Sequence, residues 1–369
     1  MEHNGKYWLA FASLEKTSST FTQRLYEHFL DIELAWQADV SELIKVDKIT
    51  KKQLDNFLEE RKKVDPDSCE SYILNQEIDY ITFDSSDYPE ILKHIYNPPT
   101  TIFVQGDLTQ CNLNKTLAVV GSRKASQNSK EVLTQIIYDL GTTDICIVSG
   151  LAAGIDTVAH NAALDSNLKT IAVLGGGFNH IYPKSNKGLF NRIKDGQGAV
   201  ISEYWPTAEP ISWRFPHRNR IVSGLSYGTL VAEAAIKSGA LITAKLALEH
   251  GRELMCIPGL ISNPNTEGIY KLLKDGASLV TSAEDVLDTL NWTYVAKQQS
   301  SNFETFKTPE THIETIVLSA IQRDSSTVDE LLIDLSLNIA DLMVILTKLE
   351  IRGLVKQIEG GKYISLAVI

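Results

Sequence analysis

The hydrophobic pattern divides the chain into three zones. In the first, residues 7–64, apolar residues recur at helical spacing in FTQRLYEHFL, LIKV and LDNFLEERKKV. Residues three or four apart share one face of a helix, so this zone predicts short amphipathic helices. Serine, threonine and aspartate stand where helix N-caps are expected. We expect a small N-terminal helical domain over residues 1–75, of the SAM or helix-hairpin-helix type.

In the second zone, residues 76–290, short apolar runs end in glycine or serine and lead into amphipathic stretches. The runs are LAVVGS at 117, ICIVSG at 145, TIAVLGGG at 170, GAVISE at 198, TLVAEA at 229, LMCIPG at 254 and SLVTS near 279. Each is apolar on both faces, which is typical of a parallel strand covered by helices on both sides. The repeats predict an α/β fold with an extended Rossmann-like, doubly wound and mainly parallel sheet.

The third zone begins with a polar, aperiodic stretch over residues 291–312, which predicts a linker. Three helical patterns follow, IETIVLSAI, TVDELLIDLS and IADLMVILTKLEIRG. A hairpin-like LVKQIEGGKYISL comes last, with Gly360 and Gly361 at its turn. Three helices and a two-stranded wing predict a winged-helix domain over residues 313–369.

Composition narrows the class of protein. The 369 residues include 35 Lys and Arg against 46 Asp and Glu, a net charge of -11, which argues against indiscriminate coating of nucleic acid. A local basic site stays possible because salt screens distant charges. No apolar stretch reaches membrane-spanning length, and the N-terminus lacks a secretory signal pattern. The four cysteines are scattered, which indicates buried free thiols in a reducing compartment. We therefore expect a cytoplasmic protein with no membrane partner.

Glycine-rich loops follow several of the predicted strands. In an open α/β sheet, ligands bind outside the carboxyl ends of the strands. Those ends carry Gly121-Ser122-Arg123, Ser149-Gly150, Gly175-Gly176-Gly177 and Pro258-Gly259. Glycine allows close backbone approach, and the helix N-terminus that follows presents free N–H groups to an anion. Arg123 adds a charged donor, and Ser122 and Ser126 are candidate hydroxyl donors, so these loops predict a phosphate-binding rim.

A second candidate site is the segment between Glu209 and Glu233, which contains no carboxylate. It holds, in order, Trp213, Arg214, Phe215, Pro216, His217, Arg218, Asn219 and Arg220. Arginine offers a planar fork of donors to phosphate, and an aromatic face offers a stacking platform to a nucleobase. Taken alone, the segment is as compatible with a solvated arginine-rich loop as with a site that binds nucleic acid.

The motifs of several enzyme classes are missing. The chain has no G-x-G-x-x-G after the first strand run, no P-loop, no H-E-x-x-H, no nucleophile elbow at a strand end and no Cys–His metal cluster. Asp156 and His160, four apart on a predicted helix, are compatible with an acid–base pair, but intrahelical pairing is commoner. We expect a binding protein without a catalytic residue, cofactor or metal.

Several motifs occur in one succession along the second zone. They are VGSRKAS from Val120, VSGLAAGIDT from Val148, FPHRNRI from Phe215, Glu233-Ala234, SGxxITA from Ser238 and Ile257-Pro258-Gly259. This succession resembles the DNA-processing protein A family (DprA, also called Smf) over residues 88–287. The resemblance implies an extended Rossmann domain that binds single-stranded DNA in natural transformation. It also implies loading of the RecA recombinase on that strand, usually by a homodimer.

The resemblance also assigns site residues. Gly121, Ser122 and Arg123 match a loop that holds a backbone phosphate, and Ser149 and Gly150 match a second loop. Phe215 matches an aromatic position against a base. Arg218, Asn219 and Arg220 match the family's R-N-R stretch, although Asn219 and Arg220 are equally compatible with a structural role. The predicted DNA-binding set is Gly121, Ser122, Arg123, Ser126, Ser149, Gly150, Gly175, Gly176, Arg214, Phe215, Arg218, Asn219 and Arg220.

The chain departs from the family pattern at two places. The family loop SGLARGID has Ala153 here in place of the arginine, which removes one cation from the rim. The predicted recognition helix of the winged helix carries Asp341, Lys348 and Glu350 and is not basic. Because phosphate neutralisation supplies most non-specific DNA affinity, this domain is a poor duplex binder, and a protein-contact or dimer-accessory role is favoured.

The alternative is a nucleotide-processing enzyme of the phosphoribohydrolase type, which shares the sheet. Those enzymes carry P-G-G-x-G-T-x-x-E at a strand end, of which only Gly228 and Thr229 survive here. Ala232 occupies the position of the glutamate. Glu233 is one residue out of register, which predicts that it turns to the opposite face of a strand.

Overall fold

The computed structural model describes residues 4–292, 312–323, 326–335, 337–351, 354–357 and 361–365. The chain divides into two compact units, Met1–Ala296 and Lys297–Ile369. Most of the predicted linker lies outside the described residues, as does Gly360 of the predicted wing turn. The domain boundaries drawn from the sequence stay predictions.

The first unit begins with six helices, as the periodicity predicts: α1 Gly5–Ser13, α2 Ser19–Phe29, α3 Ile32–Gln37, α4 Val40–Leu43, α5 Lys51–Arg61 and α6 Pro66–Asn75. Polar side chains cap several N-termini; Thr50, for example, forms a capping box with Gln53 at the start of α5. Trp8, Phe21 and Phe57 are buried between these helices. The same apolar core continues into the sheet that follows, so the helices share a core with it.

The sheet of the first unit has nine strands in the described part of the chain: β1 Asp79–Thr82, β2 Thr101–Gly106, β3 Thr116–Val120, β4 Cys146–Ser149, β5 Lys169–Val173, β6 Gly198–Ser202, β7 Gly228–Val231, β8 Glu253–Cys256 and β9 Ser278–Leu279. Their order in space is β1-β2-β6-β5-β4-β3-β7-β8-β9. The seven strands from β3 to β9 are parallel, as predicted. The antiparallel strands β1 and β2 at one edge were not predicted.

Helices cover both faces of the sheet. They are α7 Glu90–Lys93, α8 Gln127–Asp139, α9 Ile155–Asp165, α10 Lys187–Arg192, α11 Arg214–Gly224, α12 Gly239–Glu249, α13 Glu267–Lys274 and α14 Ala283–Thr289. The chain runs outward from β3 through β4, β5 and β6, and then returns to β7 on the other side of β3. The strand order therefore reverses between β3 and β7, which is where an open α/β sheet binds ligands.

The second unit contains α15 His312–Arg323, β10 Ser326–Thr327, α16 Val328–Leu335, α17 Ile339–Ile351, β11 Val355–Gln357 and β12 Lys362–Ser365. The strands form an antiparallel sheet in the order β10-β12-β11. Val317, Leu331, Leu342 and Leu349 are buried in its core. The predicted winged-helix order is present, with β10 added to the expected two-stranded wing.

All four cysteines are buried and unpaired, which confirms the prediction of free thiols. Among the described residues, no helix is both long enough and apolar enough to cross a bilayer. The same described residues contain no group of three or more His, Cys, Asp or Glu side chains placed to hold a metal ion.

Candidate nucleic-acid interface

A cleft of about 660 Å³ opens where the strand order reverses. The loop after β3, the first turns of α11 and α12 and the side chain of Tyr182 surround it. Six of the predicted site residues line this cleft: Gly121, Ser122, Arg123, Phe215, Arg218 and Asn219. Residues about 95 positions apart in the chain therefore meet at one site.

The loop after β3 is held rigidly by backbone hydrogen bonds. The Ser122 N–H donates to the Glu233 carbonyl oxygen at 2.7 Å, and the Ser122 carbonyl oxygen accepts from the N–H of Ile155 at 3.2 Å. A Cβ on Gly121 would lie 2.5 Å from the Ile155 side chain, so this position requires glycine. The Arg123 side chain leaves the loop and is exposed. The loop thus fixes the base of a cation that faces the cleft.

Arg123, Phe215 and Tyr182 form the rim of the cleft. The Arg123 guanidinium lies 5.6 Å from the centroid of the Phe215 ring. That ring also packs closely on Gly175, where a Cβ would lie 2.8 Å from it. The Tyr182 ring, whose side chain is half exposed, lies 5.5 Å from Phe215 at an interplanar angle of 49°. The rim therefore presents one cation beside two aromatic rings, a combination that suits a phosphate and unpaired bases.

Arg218 reaches the floor of the cleft from below and is only 4% exposed. Its Nη1 donates to the carbonyl oxygen of Gly150 at 2.6 Å and also to that of Val173. The Nε donates to Asn219 Oδ1 at 3.2 Å. These bonds tie α11 to the ends of β4 and β5. Arg218 therefore holds the floor together.

Asp156 completes the floor from the start of α9. Its Oδ2 accepts from the N–H of Gly150 at 3.1 Å and from that of Ala152 at 3.3 Å. Burial raises the pKa of this carboxyl, and the charge of Arg218 opposes that rise. His160 bonds instead to Thr170 Oγ1 at 2.7 Å, and burial lowers its pKa to about 3. Asp156 and His160 thus have different partners, and neither an acid–base pair nor an intrahelical bond joins them.

Four predicted residues lie beneath or behind the cleft. Ser149 is buried and donates through Oγ to the Val119 carbonyl oxygen at 2.6 Å. A Cβ on Gly150 would lie 2.4 Å from the Arg218 guanidinium. Gly175 supports Phe215, while the Gly176 carbonyl oxygen accepts from Ser202 Oγ at 2.8 Å. These residues shape the site from below. The fourth glycine loop, at Pro258 and Gly259, follows β8 outside the cleft lining.

Ser126 is engaged within the protein. Its Oγ donates to Glu233 Oε2 at 2.5 Å and accepts from the Ser129 N–H at 3.3 Å, which caps α8. Ser129 Oγ also donates to Glu233, at 2.8 Å. The expectation that Glu233 turns to the opposite face of a strand is wrong, because β7 ends at Val231 and the buried carboxylate bonds to the start of α8.

Arg214 and Arg220 lie outside the cleft. Arg220 forms two bonds to the Glu203 carboxylate, at 2.8 and 2.6 Å, and both side chains are buried. Burial alone would raise the pKa of Glu203, but the charges of Arg220 and His217 lower it to about 2. Arg214 donates to the Glu209 carbonyl oxygen at 2.6 Å and lies 4.7 Å from the centroid of the Tyr204 ring.

Helical spacing explains this division of the arginine-rich segment. Phe215, Arg218 and Asn219, at positions i, i+3 and i+4 of α11, share the face that meets the cleft. His217 and Arg220 lie on another face, toward Glu203. The structure thus brings together part of the predicted set and directs the rest into the protein.

The sequence did not identify several residues of the cleft. Lys237, which is exposed, adds a second cation to the lining. Ser238 caps α12 by accepting from the Ala240 N–H at 3.2 Å, and Thr243 follows on the same helix. The SGxxITA motif contains Ser238 and Thr243 and could have identified them. Tyr182 carries no such signal, because only the fold brings it against Phe215.

Comparison with known proteins gives consistent matches. The family model for DNA recombination-mediator protein A matches residues 79–291, and the model for the DprA winged helix domain matches residues 307–361. Protein Smf of Synechocystis is 32% identical and the match covers 97% of this chain and 98% of that protein.

Two solved structures are similar. DNA processing protein A from Streptococcus pneumoniae has a TM-score of 0.68 at 35% identity and covers 76% of this chain and 95% of its own. DNA processing protein A from Helicobacter pylori, solved to examine its single-stranded DNA binding mode, has a TM-score of 0.52 at 28% identity. That match covers 58% of this chain and 97% of the H. pylori chain.

Proposed function

The chain belongs to the DNA recombination-mediator protein A family, and on this premise we propose that it binds single-stranded DNA in the cleft. Arg123 contacts a backbone phosphate, and Phe215 stacks on an unpaired base. The observation that carries the proposal is the placement of an exposed guanidinium 5.6 Å from an aromatic ring at the point where the strand order reverses.

The surroundings of Arg123 support this role. No ion pair involves Arg123 within the described residues, in a chain with a net charge of -11. The floor is rigid, because Arg218 bonds to the carbonyl oxygens of Gly150 and Val173, and Asp156 accepts from the N–H groups of the same loop after β4. A cation that has no acidic partner on such a floor can neutralise a phosphate without first breaking an internal bond.

The rim favours a single strand over a duplex. Stacking on Phe215 requires an unpaired base face, which a duplex does not offer away from its ends. The cleft presents its donors to the backbone and a flat ring to the bases, so little sequence specificity is expected. The relative from Helicobacter pylori, whose structure concerns single-stranded DNA binding, supports the same choice of ligand.

The wider role in the proposal comes from the family. We propose that the protein protects incoming DNA in natural transformation, transfers the strand to the RecA recombinase and acts in the cytoplasm as a homodimer. The winged helix contacts protein in this scheme, because α17 carries Asp341 and Glu350 beside Lys348. Faster RecA filament formation on strands bearing this protein, with a dimeric mass in light scattering, is the expected result. No acceleration would limit the proposal to DNA binding.

The alternative of a phosphoribohydrolase-like enzyme has less support. The nearest glutamate to the diagnostic position, Glu233, is fully buried and bonded to Ser126 and Ser129. Its carboxylate therefore already accepts hydrogen bonds from two serines at the N-terminus of α8. We propose a binding protein that does not act as an enzyme.

A mobility-shift titration tests the proposal. Labelled single-stranded and duplex oligonucleotides of the same sequence are titrated with the full chain at several salt concentrations. We expect tighter binding to the single strand, little change with sequence and weaker binding as salt rises. Equal affinity for both forms would contradict stacking on Phe215 and direct attention to the winged helix.

A further inference from the structure

Glu233 is a buried carboxylate close to the cleft but outside its lining. It lies two residues after the end of β7, and its side chain is 0% exposed. Within the residues that the structure describes, no lysine, arginine or histidine forms an ion pair with it. A charge buried without a cation is costly unless hydrogen bonds replace the water around it. The partners that donate those bonds therefore indicate what the residue does.

Glu233 holds the loop that carries Arg123 at both of its ends. At the first end, the Glu233 carbonyl oxygen accepts from the Ser122 N–H at 2.7 Å. At the second end, its carboxylate accepts from the Ser126 N–H at 3.1 Å and from Ser126 Oγ at 2.5 Å. Ser129 Oγ, in the first turn of α8, donates to the same carboxylate oxygen at 2.8 Å. One residue thus fixes the chain before and after Arg123.

Few other bonds determine the position of this loop. The N–H of Ile155 donates to the Ser122 carbonyl oxygen at 3.2 Å, which joins the loop to the start of α9. Among the described residues, no further hydrogen bond joins residues 122–125 to a residue outside the loop, because the Lys124 N–H donates to Ser122 Oγ within it. The bonds to Glu233 and the single bond to α9 therefore set where the Arg123 side chain begins.

We propose that Glu233 is a positioning residue for DNA binding, which holds the loop so that Arg123 meets a backbone phosphate without itself touching DNA. This inference rests on the proposed contact of Arg123 with the strand. Charge alone predicts the opposite effect, since a carboxylate repels a polyanion and its removal should strengthen binding. A loss of affinity when Glu233 is removed therefore reports the position of the loop and not the charge.

A double-mutant cycle measures the coupling between Glu233 and Arg123. The dissociation constant for a single-stranded oligothymidine is measured by fluorescence anisotropy for the full chain, E233A, R123A and R123A/E233A. We expect E233A to bind roughly tenfold more weakly than the parent, as coupled residues do. Its salt slope should fall by about 0.7, the value of one phosphate contact. The double variant should bind like R123A to within about twofold, because the phosphate contact is already lost.

Two milder variants provide the same test if E233A folds poorly. E233Q keeps a side-chain oxygen that can accept from the serines, so its affinity should lie closer to that of the parent than to that of E233A. S129A removes one donor to the carboxylate at a residue outside the cleft lining. We expect about threefold weaker binding from S129A in the parent and no further loss in the R123A background. S226A is the matched control, because Ser226 is also buried but bonds to the Val222 carbonyl oxygen, and it should bind like the parent.

The outcomes separate this inference from the proposed function on which it rests. If the losses from R123A and E233A multiply in the double variant, Glu233 acts only on the stability of the fold and the positioning role is overturned, while the contact of Arg123 stands. Affinity of E233A and S129A equal to that of S226A would overturn it in the same way. Parental affinity in R123A would overturn the phosphate contact and the role of Glu233 together.

Discussion

The rim of the cleft and the layer buried beneath it use arginine for different purposes. Arg123, at the rim, is exposed and faces the Phe215 ring. In the buried layer, which comprises Arg218 and Arg220 with the buried carboxylates Asp156 and Glu203, both guanidiniums are bonded within the protein, Arg218 to backbone carbonyl oxygens and Arg220 to Glu203. An arginine that is already bonded contributes chiefly to stability, whereas an exposed one is available to a ligand.

The comparison shows that an arginine-rich motif is not a uniform binding surface. Within the segment RFPHRNR, the ring of Phe215 belongs to the rim, while Arg218 and Arg220 belong to the buried layer. We expect a variant in the buried layer to lose DNA binding through loss of the folded structure, and a variant in the rim to lose it while the fold stays intact. Stability and affinity must therefore be measured together.

The largest effect is expected for Arg220→Ala. The substitution leaves the Glu203 carboxylate buried without its bidentate partner, and breaking a buried pair in this way costs about 3–5 kcal/mol of unfolding free energy. Urea denaturation followed by circular dichroism measures the loss. Arg220→Lys, which keeps the charge, should lose less. An unfolding free energy equal to that of the parent would place Arg220 outside the buried layer.

Acid should weaken the same layer. The pKa of Glu203 is about 2 in the folded chain against 4.5 ordinarily, and that of His160 is about 3 against 6.5, because burial and the Arg218 charge oppose protonation of the imidazole. The unfolded chain therefore binds these protons first. The contribution of these two groups to stability is complete above about pH 6.5, falls as His160 titrates in the unfolded chain and falls further below pH 4.5 through Glu203.

Denaturation midpoints between pH 7 and pH 4 measure this decline. His160→Gln places a side chain that cannot gain a proton at this position. In this variant the denaturation midpoint should change less between pH 6.5 and pH 4.5 than in the parent. If the midpoint changes with pH equally in the variant and the parent, other groups cause the loss of stability in acid.

Phe215→Leu distinguishes the binding role of the rim from the stability of the buried layer beneath it. Leucine keeps most of the packing against Gly175 but removes the aromatic face, so we expect a loss of about 1–3 kcal/mol in single-strand binding with little change in melting temperature. Fluorescence anisotropy with a labelled strand measures the affinity. Trp213→Ala is the comparison variant, because Trp213 lines a different groove. If the leucine variant binds single-stranded DNA as tightly as the parent does, no base stacks on Phe215.

The seven parallel strands could be predicted from sequence because each is apolar on both faces and leads into a helix. Strand β2 is equally buried, but nine residues with a single 3-10 turn at Leu108–Gln110 connect it to β3, and no α-helix follows it, so the repeat does not include it. The partition of residues 214–220 could not be predicted. It depends on where α11 begins and on the pairing of Arg220 with Glu203, 17 residues away, which only the tertiary fold creates.

Arg123→Ala should weaken single-strand binding by about 1–3 kcal/mol, the usual loss for a charge-assisted bond. The melting temperature should not change, because the side chain is exposed. Lys124→Ala is the matched control, since Lys124 is an exposed neighbour outside the cleft lining. Affinity at low salt that is unchanged in Arg123→Ala, or reduced equally in both variants, would exclude a specific phosphate contact at Arg123.

The smallest effect is expected when the chain is ended at Thr308. This truncation keeps the whole unit Met1–Ala296, including rim and buried layer, and removes the winged helix. Helix α17 carries Asp341 and Glu350 against Lys348, so it offers little to a polyanion. Single-strand affinity should therefore equal that of the full chain in the same anisotropy assay. A loss greater than about tenfold, or 1.4 kcal/mol, with the circular dichroism spectrum of a folded α/β unit, would require DNA contacts in the wing. Lys356 and Lys362, both exposed, would then be the first residues to substitute.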